Sequence, residues 1–254
     1  MLSRFSEPTM DALVRRALTV ARGRRRFRLH AYRAASALMR ALMDDVTFKE
    51  TLKDNLNGSR GWHITRKAMY ANLAGKLAEH DRADWTCLAV SDSKFFGEIL
   101  GLRQCTYVEA NYPEHDLSAL RFDDAAFDYC ISDQVLEHVE GDPFAAVRES
   151  VRVVKPGGLV VHTTCFINEI HGVPKDFWRF TPEALALLCR TSGAEPLEVG
   201  GWGNREAWAL IHAGFRTAPL PDEPGHPLYE LAMRNEPQWP IVTWVVARRN
   251  AASG

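Results

Sequence analysis

His171, Asp176 and Arg179 lie close together in the chain, and residues of these types can move or hold a proton. An imidazole has an unperturbed pKa of ~6.5, which suits proton removal from a hydroxyl near neutral pH. Asp176 and Arg179 are three apart and share one face of a turn. Such a pair either orients the imidazole and grips a substrate, or closes a structural salt bridge across its own loop. Phe166, Phe177 and Trp178 would give the site apolar walls. Trp202, Asn204 and Arg205 form a further wall or cover a sheet. Polar residues gather in three more short stretches: Ser91, Asp92 and Ser93 with Gly97; Glu109 to Leu117; and Asp133 and Gln134 with Glu137 and His138. The five cysteines are odd in number and spread out, with no Cys-x-x-Cys pair. That argues against a zinc site and a disulfide framework, fits a reducing, cytoplasmic compartment, and leaves the cysteines as small buried hydrophobes. No metal site is expected.

These stretches need elements to position them. Short apolar runs at 85–90, 106–109, 127–132, 159–163, 197–200 and 241–247 read as strands. Helical patterns at 95–100, 143–153 and 181–191 fall between them. Thr181 is the expected N-cap of the last, with Pro182 in its first turn. Strands alternating with helices imply an α/β protein with a mainly parallel sheet and helices on both faces. In such sheets ligands bind beyond the carboxyl ends of the strands, at the point where strand order reverses. The loops at 91–97, 109–117, 133–138 and 165–179 then form the mouth of one site. A helix is expected over about 63–79, and an irregular proline-rich loop over 218–240.

The chain has 254 residues, 46% hydrophobic and 25% charged, which excludes a wholly disordered or fibrous protein. No apolar stretch reaches the ~18 residues of a membrane span, and the first ten residues lack the apolar core of a secretory signal. Residues 1–40 hold ten arginines against two acids, a balance of +8 that leaves −9 for the rest of a chain of net charge −1. The expected organisation is a basic helical arm at 1–61, ending in a turn-rich linker at 53–61, and an α/β domain at 62–250. The arm either docks an anionic membrane, nucleic acid or an acidic partner, or packs on the acidic body. An acidic body argues against nucleic acid at the active site itself.

The segment from Phe127 to Val161, FDYCISDQVLEHVEGDPFAAVRESVRVVKPGGLVV, resembles class I methyltransferases that use S-adenosyl-L-methionine, the type 11 group in particular. Strand, V-L-E-H-V, helix and K-P-G-G before a strand occur in the family's order and spacing. The stretch from His171 to Pro182 is similar to the H-x-x-P-x-D-x-x-R-x-T loop of a subgroup, and Gly201-Trp202-Gly203-Asn204-Arg205 to a later piece of it. The resemblance spans about residues 85–215 and implies a Rossmann-like methyltransferase fold. It also implies a cofactor site in which Glu109 takes the ribose hydroxyls, Asp116 and Leu117 the adenine, and Asp133, Gln134 and His138 the sulfonium end. His171 is then the base, with Asp176 and Arg179 beside it, for an acceptor that is a small molecule or a glycan hydroxyl.

Two departures stand against that pattern. The family's first strand leads into a G-x-G-x-G loop after an acidic residue, whereas this chain has Ala89 and then Ser91, Asp92, Ser93 and, further on, Gly97. Ser91 and Ser93 fall where glycines are expected, and positive φ at serine is strained. A serine hydroxyl can still meet a carboxylate, and Asp92 an ammonium. Only 17 residues separate Glu109 from Phe127, too few for the helix, strand and loop usual there, so a smaller sheet is expected. The alternatives are therefore an active methyltransferase and an inactive scaffold or partner subunit on the same frame.

Overall fold

A computed structural model describes residues 64–172, 175–216, 220 and 222–251. The basic arm and its linker lie outside them.

Six strands form one sheet: β1 (Thr86–Val90), β2 (Thr106–Ala110), β3 (Phe127–Asp133), β4 (Val154–Cys165), β5 (Ala194–Trp202) and β6 (Val242–Arg249), in the order β2-β1-β3-β4-β6-β5. The first four are mutually parallel, and β6 runs antiparallel between β4 and β5. The period of two that strands impose divides the core in two. Cys87, Ala89, Tyr129, Ile131 and Val161 face one cluster, while Leu88, Val90, Cys130 and Val160 face the other. The first cluster is covered by α1 (Ile64–Leu73), α2 (Lys94–Leu100), α5 (Arg205–Leu210) and α6 (Pro227–Met233). The second is covered by α3 (Pro143–Val153) and α4 (Pro182–Thr191). All five cysteines are free and buried.

The caps follow the sequence. Thr181 accepts the Ala184 amide at the start of α4, with Pro182 at its first position. Gly101, at φ 99°, ends α2. Four sequence expectations need correction. The helix over 63–79 stops at Leu73, because Gly75 turns left-handed (φ 70°) before a short 3-10 turn at Ala78–His80. Lys155-Pro156-Gly157-Gly158 is a bulged excursion inside β4, between the pairs Phe127–Val154 and Tyr129–Leu159, so that strand begins at Val154 rather than at 159. The stretch 218–240 holds α6, capped by His226 through the Leu228 amide with Pro227 behind it. Asn204 caps α5, for which no helix was expected, through the Ala207 amide.

No strand lies between β2 and β3, as the short spacing predicts. Arg152 of α3 holds that connection in place. Its guanidinium donates to the carbonyls of Leu120 (2.9 Å) and Phe122 (2.8 Å) and to Asp124 (2.6 Å). Order reverses between β1 and β3, so the switch point lies above their carboxyl ends.

Candidate active site

The loop after β1 adopts the glycine conformation without glycine. Ser91 (φ 53°) and Asp92 (φ 57°) are both left-handed. The Ser91 amide donates to the Ala110 carbonyl (3.0 Å), and the Asp92 amide to Asn111 Oδ1 (2.9 Å). Ser93 is not left-handed (φ −80°) and is fully buried. Its hydroxyl donates to the Val90 carbonyl (2.5 Å) and accepts the Asp133 amide (2.9 Å), riveting the tip of β1 to that of β3. Its role is internal. Gly97 is internal too: a methyl there would enter the Tyr107 ring and lie 2.9 Å from Ile131 Cδ1, so the glycine lets α2 pack closely on the sheet. Lys94 points away from the mouth, over the Tyr107 ring, while the Phe95 ring meets Tyr70 edge-on at 6.0 Å.

At the tip of β2, Glu109 is exposed, opposite Ala89 in register. Asp116 accepts the Ser118 amide (2.8 Å) and hydroxyl (2.7 Å) through Oδ1, the hydrogen bonding of a turn residue. Leu117 is 4% exposed and packs in the second core cluster with Val90 and Ala110.

The end of β3 is tightly organised. Asp133 accepts from Tyr70 Oη of α1 (2.6 Å) at one oxygen and from Thr163 Oγ1 of β4 (2.5 Å) at the other. Burial, reinforced by that carboxylate, pushes the Tyr70 phenol upward, so it stays a donor. Gln134 is left-handed (φ 58°), with its amide on the Thr163 carbonyl at 3.0 Å. Ser91, Asp92 and Gln134 are three of the four non-glycine left-handed residues among those described, and all three flank the switch point. Strain of ~1–3 kcal/mol per residue collects where function constrains the backbone.

Beyond β4, Asp176 is the hub. Its carboxylate, 1% exposed, takes two bonds from Arg179 (2.5 and 2.7 Å), one from the His171 amide (3.0 Å), and lies 3.0 Å from His171 Nδ1. Burial alone would raise its pKa, but the Arg179 fork and the His171 amide outweigh that and bring it down to about 2. Arg179 also donates to the Trp178 carbonyl (2.8 Å), so the pair braces the loop as well as holding the imidazole. The His138 ring meets that of His171 edge-on, centroids 5.1 Å apart, and its Nδ1 bonds the Lys175 carbonyl at 2.6 Å. A carbonyl can only accept, so His138 Nδ1 carries the proton and the neutral ring keeps its lone pair on Nε2. Asp176 imposes the same tautomer on His171. Glu137 is fully buried: Oε2 accepts from Thr164 Oγ1 (2.8 Å), its backbone carbonyl takes the Phe177 amide, and Oε1 has no partner. Burial pushes its carboxyl pKa up.

The structure thus brings Ser93 together with Asp133, and His138 with His171, Asp176 and Arg179. Asp116 and Leu117 serve their own turn and core. Trp202 and Asn204 are buried, Asn204 as a cap, and Arg205 pairs with Glu236, so these cover the sheet. Sequence reasoning missed Tyr70 and Thr163. A polar residue near the end of an apolar strand was a signal for Thr163, but nothing in the helix around Tyr70 marked it.

Residues 76–162 match the family model described as "Methyltransferase domain". A curated relative, 2-methyl-6-phytyl-1,4-hydroquinone methyltransferase from Synechocystis, is 32% identical over 112 residues. These make up 44% of this chain and 35% of the relative, so the match spans about a third of that protein. Among solved structures, phosphoethanolamine N-methyltransferase 2 of Haemonchus contortus superposes with a TM-score of 0.45 at 12% identity, over 72% of this chain and 52% of that one. The YcgJ protein of Bacillus subtilis gives 0.39 at 12% identity, over 72% and 97%. By this match, the segment from Lys76 to His162 is a methyltransferase domain.

Proposed function

We propose that the protein transfers the methyl group of S-adenosylmethionine to a hydroxyl oxygen of a small molecule or glycan. The observation that carries this reading is the clustering of left-handed Ser91, Asp92 and Gln134 around the switch point, where the backbone gives up stability to keep a shape. The donor set fits the cofactor. Asp92 and Glu109 are exposed carboxylates at neighbouring strand tips, suited to an ammonium and to ribose hydroxyls respectively. The Asp133–Gln134 tip borders the reacting end, beside His138. The cofactor supplies a methyl on a positively charged sulfur, a good leaving group. Alignment is then most of what the chain contributes.

An oxygen nucleophile must lose its proton. His171 Nε2 is placed to take it, because Asp176 fixes the proton of the neutral ring on Nδ1 and stabilises the imidazolium that forms. Arg179 keeps Asp176 ionised and in place. Trp178 packs under this loop against the second core cluster, while Phe177 stays exposed. The Synechocystis relative acts, by its name, on a hydroquinone, which supports a small-molecule acceptor here.

The test is transfer of labelled methyl to a panel of hydroxylated small molecules and sugars. His171→Gln should lower kcat by ~10²–10⁴-fold and leave binding of S-adenosylhomocysteine intact. Equal turnover in the variant removes the assignment. Ser93, which stands where a glycine is expected and commits its hydroxyl to Val90 and the Asp133 amide, favours a second reading, a scaffold or partner subunit that no longer binds cofactor. Co-purified cofactor would end that reading.

A further inference from the structure

Glu137, Cys165 and His171 come from the turn after β3, the end of β4 and the loop beyond it. One ligand atom from each lies within 4.8 Å of the others. Glu137 is 0% exposed and Cys165 2%, while the His171 side chain keeps 21% of its surface. Glu137 Oε1 is sealed from solvent with no hydrogen-bond partner, and so is Asn168 Oδ1 in the same loop. Buried polar atoms without partners are uncommon, and a bound ion is one of the groups that satisfies them. The surroundings are those of a metal site. Asp176 lies 3.0 Å from His171 Nδ1, leaving Nε2 as the ring's coordinating atom, and Thr164 fixes Glu137 through its other oxygen.

We propose that Glu137, Cys165 and His171 bind one zinc(II) ion, with water in the fourth position on the exposed side of His171. Mixed nitrogen, sulfur and carboxylate donors suit zinc. Tetrahedral bonds of ~2.0–2.3 Å place donors about 3.5 Å apart, so the three must close by about 1 Å, a movement open to the loop-borne histidine. On binding, the Zn–S bond forms as the Cys165 thiol proton passes to the buffer, and no electron changes hands. The cysteine spacing gave no sign of this site because it uses one cysteine, not a pair. Binding itself does not depend on the proposed methyl transfer. Its consequence does: zinc on His171 Nε2 occupies the lone pair that proton removal needs, so the filled site blocks the reaction.

The experiment is titration of the chelator-stripped full chain with zinc chloride, and in parallel with cobalt(II), with metal counted by mass spectrometry after desalting. The expected result is one zinc per chain. Cys165→Ser and His171→Gln should each weaken it at least tenfold, and exposed His212→Gln should leave it unchanged. The cobalt form of the unaltered protein should show thiolate-to-metal charge-transfer absorption, which decides the matter even if a variant fails to fold. No stoichiometric binding, binding unaffected by both variants, or a cobalt spectrum without the thiolate band overturns the proposal. S-adenosylhomocysteine binding, measured on the same stripped protein, reports separately on the methyltransferase reading.

Discussion

Replacing Asp176 by asparagine keeps the shape of the His171 loop and removes its charge. The carboxyl pKa falls from an ordinary 3.8 to about 2 in the folded protein. At ~1.4 kcal/mol per pH unit, that corresponds to about 2–3 kcal/mol of stability at neutral pH. Because the folded value is the lower one, the contribution is complete above about pH 5, falls to roughly half by pH 3, and disappears below pH 2. Asp176→Asn also leaves the Arg179 guanidinium, a quarter exposed, without its counter-charge, which keeps the loss at the upper part of that range rather than beyond it. Urea unfolding followed by tryptophan fluorescence at pH 7 and pH 3 measures both values for wild type and variant. The expected deficit is about 2–3 kcal/mol at pH 7 and about half as much at pH 3. A deficit that is the same at both pH values, or below ~0.5 kcal/mol at pH 7, refutes the assignment of Asp176 as an ionised hub.

Gly97→Ala should destabilise the fold by about 1–3 kcal/mol through its collision with Tyr107 and Ile131, seen as a lower Tm, while molecules that remain folded bind S-adenosylhomocysteine as before; weakened binding without a lower Tm contradicts the packing role. Ser91→Gly relieves a left-handed serine (φ 53°) and should gain about 0.5–1 kcal/mol, the ~1–2 kcal/mol of relieved strain less the entropy glycine adds to the unfolded chain; a loss of stability by denaturant titration would show that the serine side chain is itself a support. Deletion of residues 1–44 should abolish sedimentation with anionic vesicles if the ten arginines of the arm dock a membrane surface; unchanged sedimentation, or none with the full chain, dismisses that role.

The elements legible in the sequence were those whose local chemistry and tertiary setting agree. The strands at β1, β3 and β6 are apolar runs buried on both faces, and α3 and α4 carry their own caps in Asp142 and Thr181. The shortened connection before β3 followed from chain length alone. The helix at 227–233 was hidden because the prolines in and around it read as loop residues, although Pro227 merely occupies a first turn. The site was legible by location and less so by role. Loops at strand ends are polar in sequence whether they meet a ligand or only each other, so Ser93 and Gly97 could not be separated from Ser91 and Asp92. Burial makes that separation: Ser93 spends its hydroxyl on Val90 and Asp133, while Asp92 stays exposed. Tyr70 reaches Asp133 from 63 residues away, a contact that only tertiary packing creates.

Calorimetric titration of the folded full chain with S-adenosylhomocysteine bears most directly on whether left-handed Ser91 and Asp92 still hold a cofactor loop open. One site of micromolar affinity, weakened at least tenfold by Glu109→Gln, is the predicted result. A folded protein that gives no heat of binding, at more than one temperature, contradicts it.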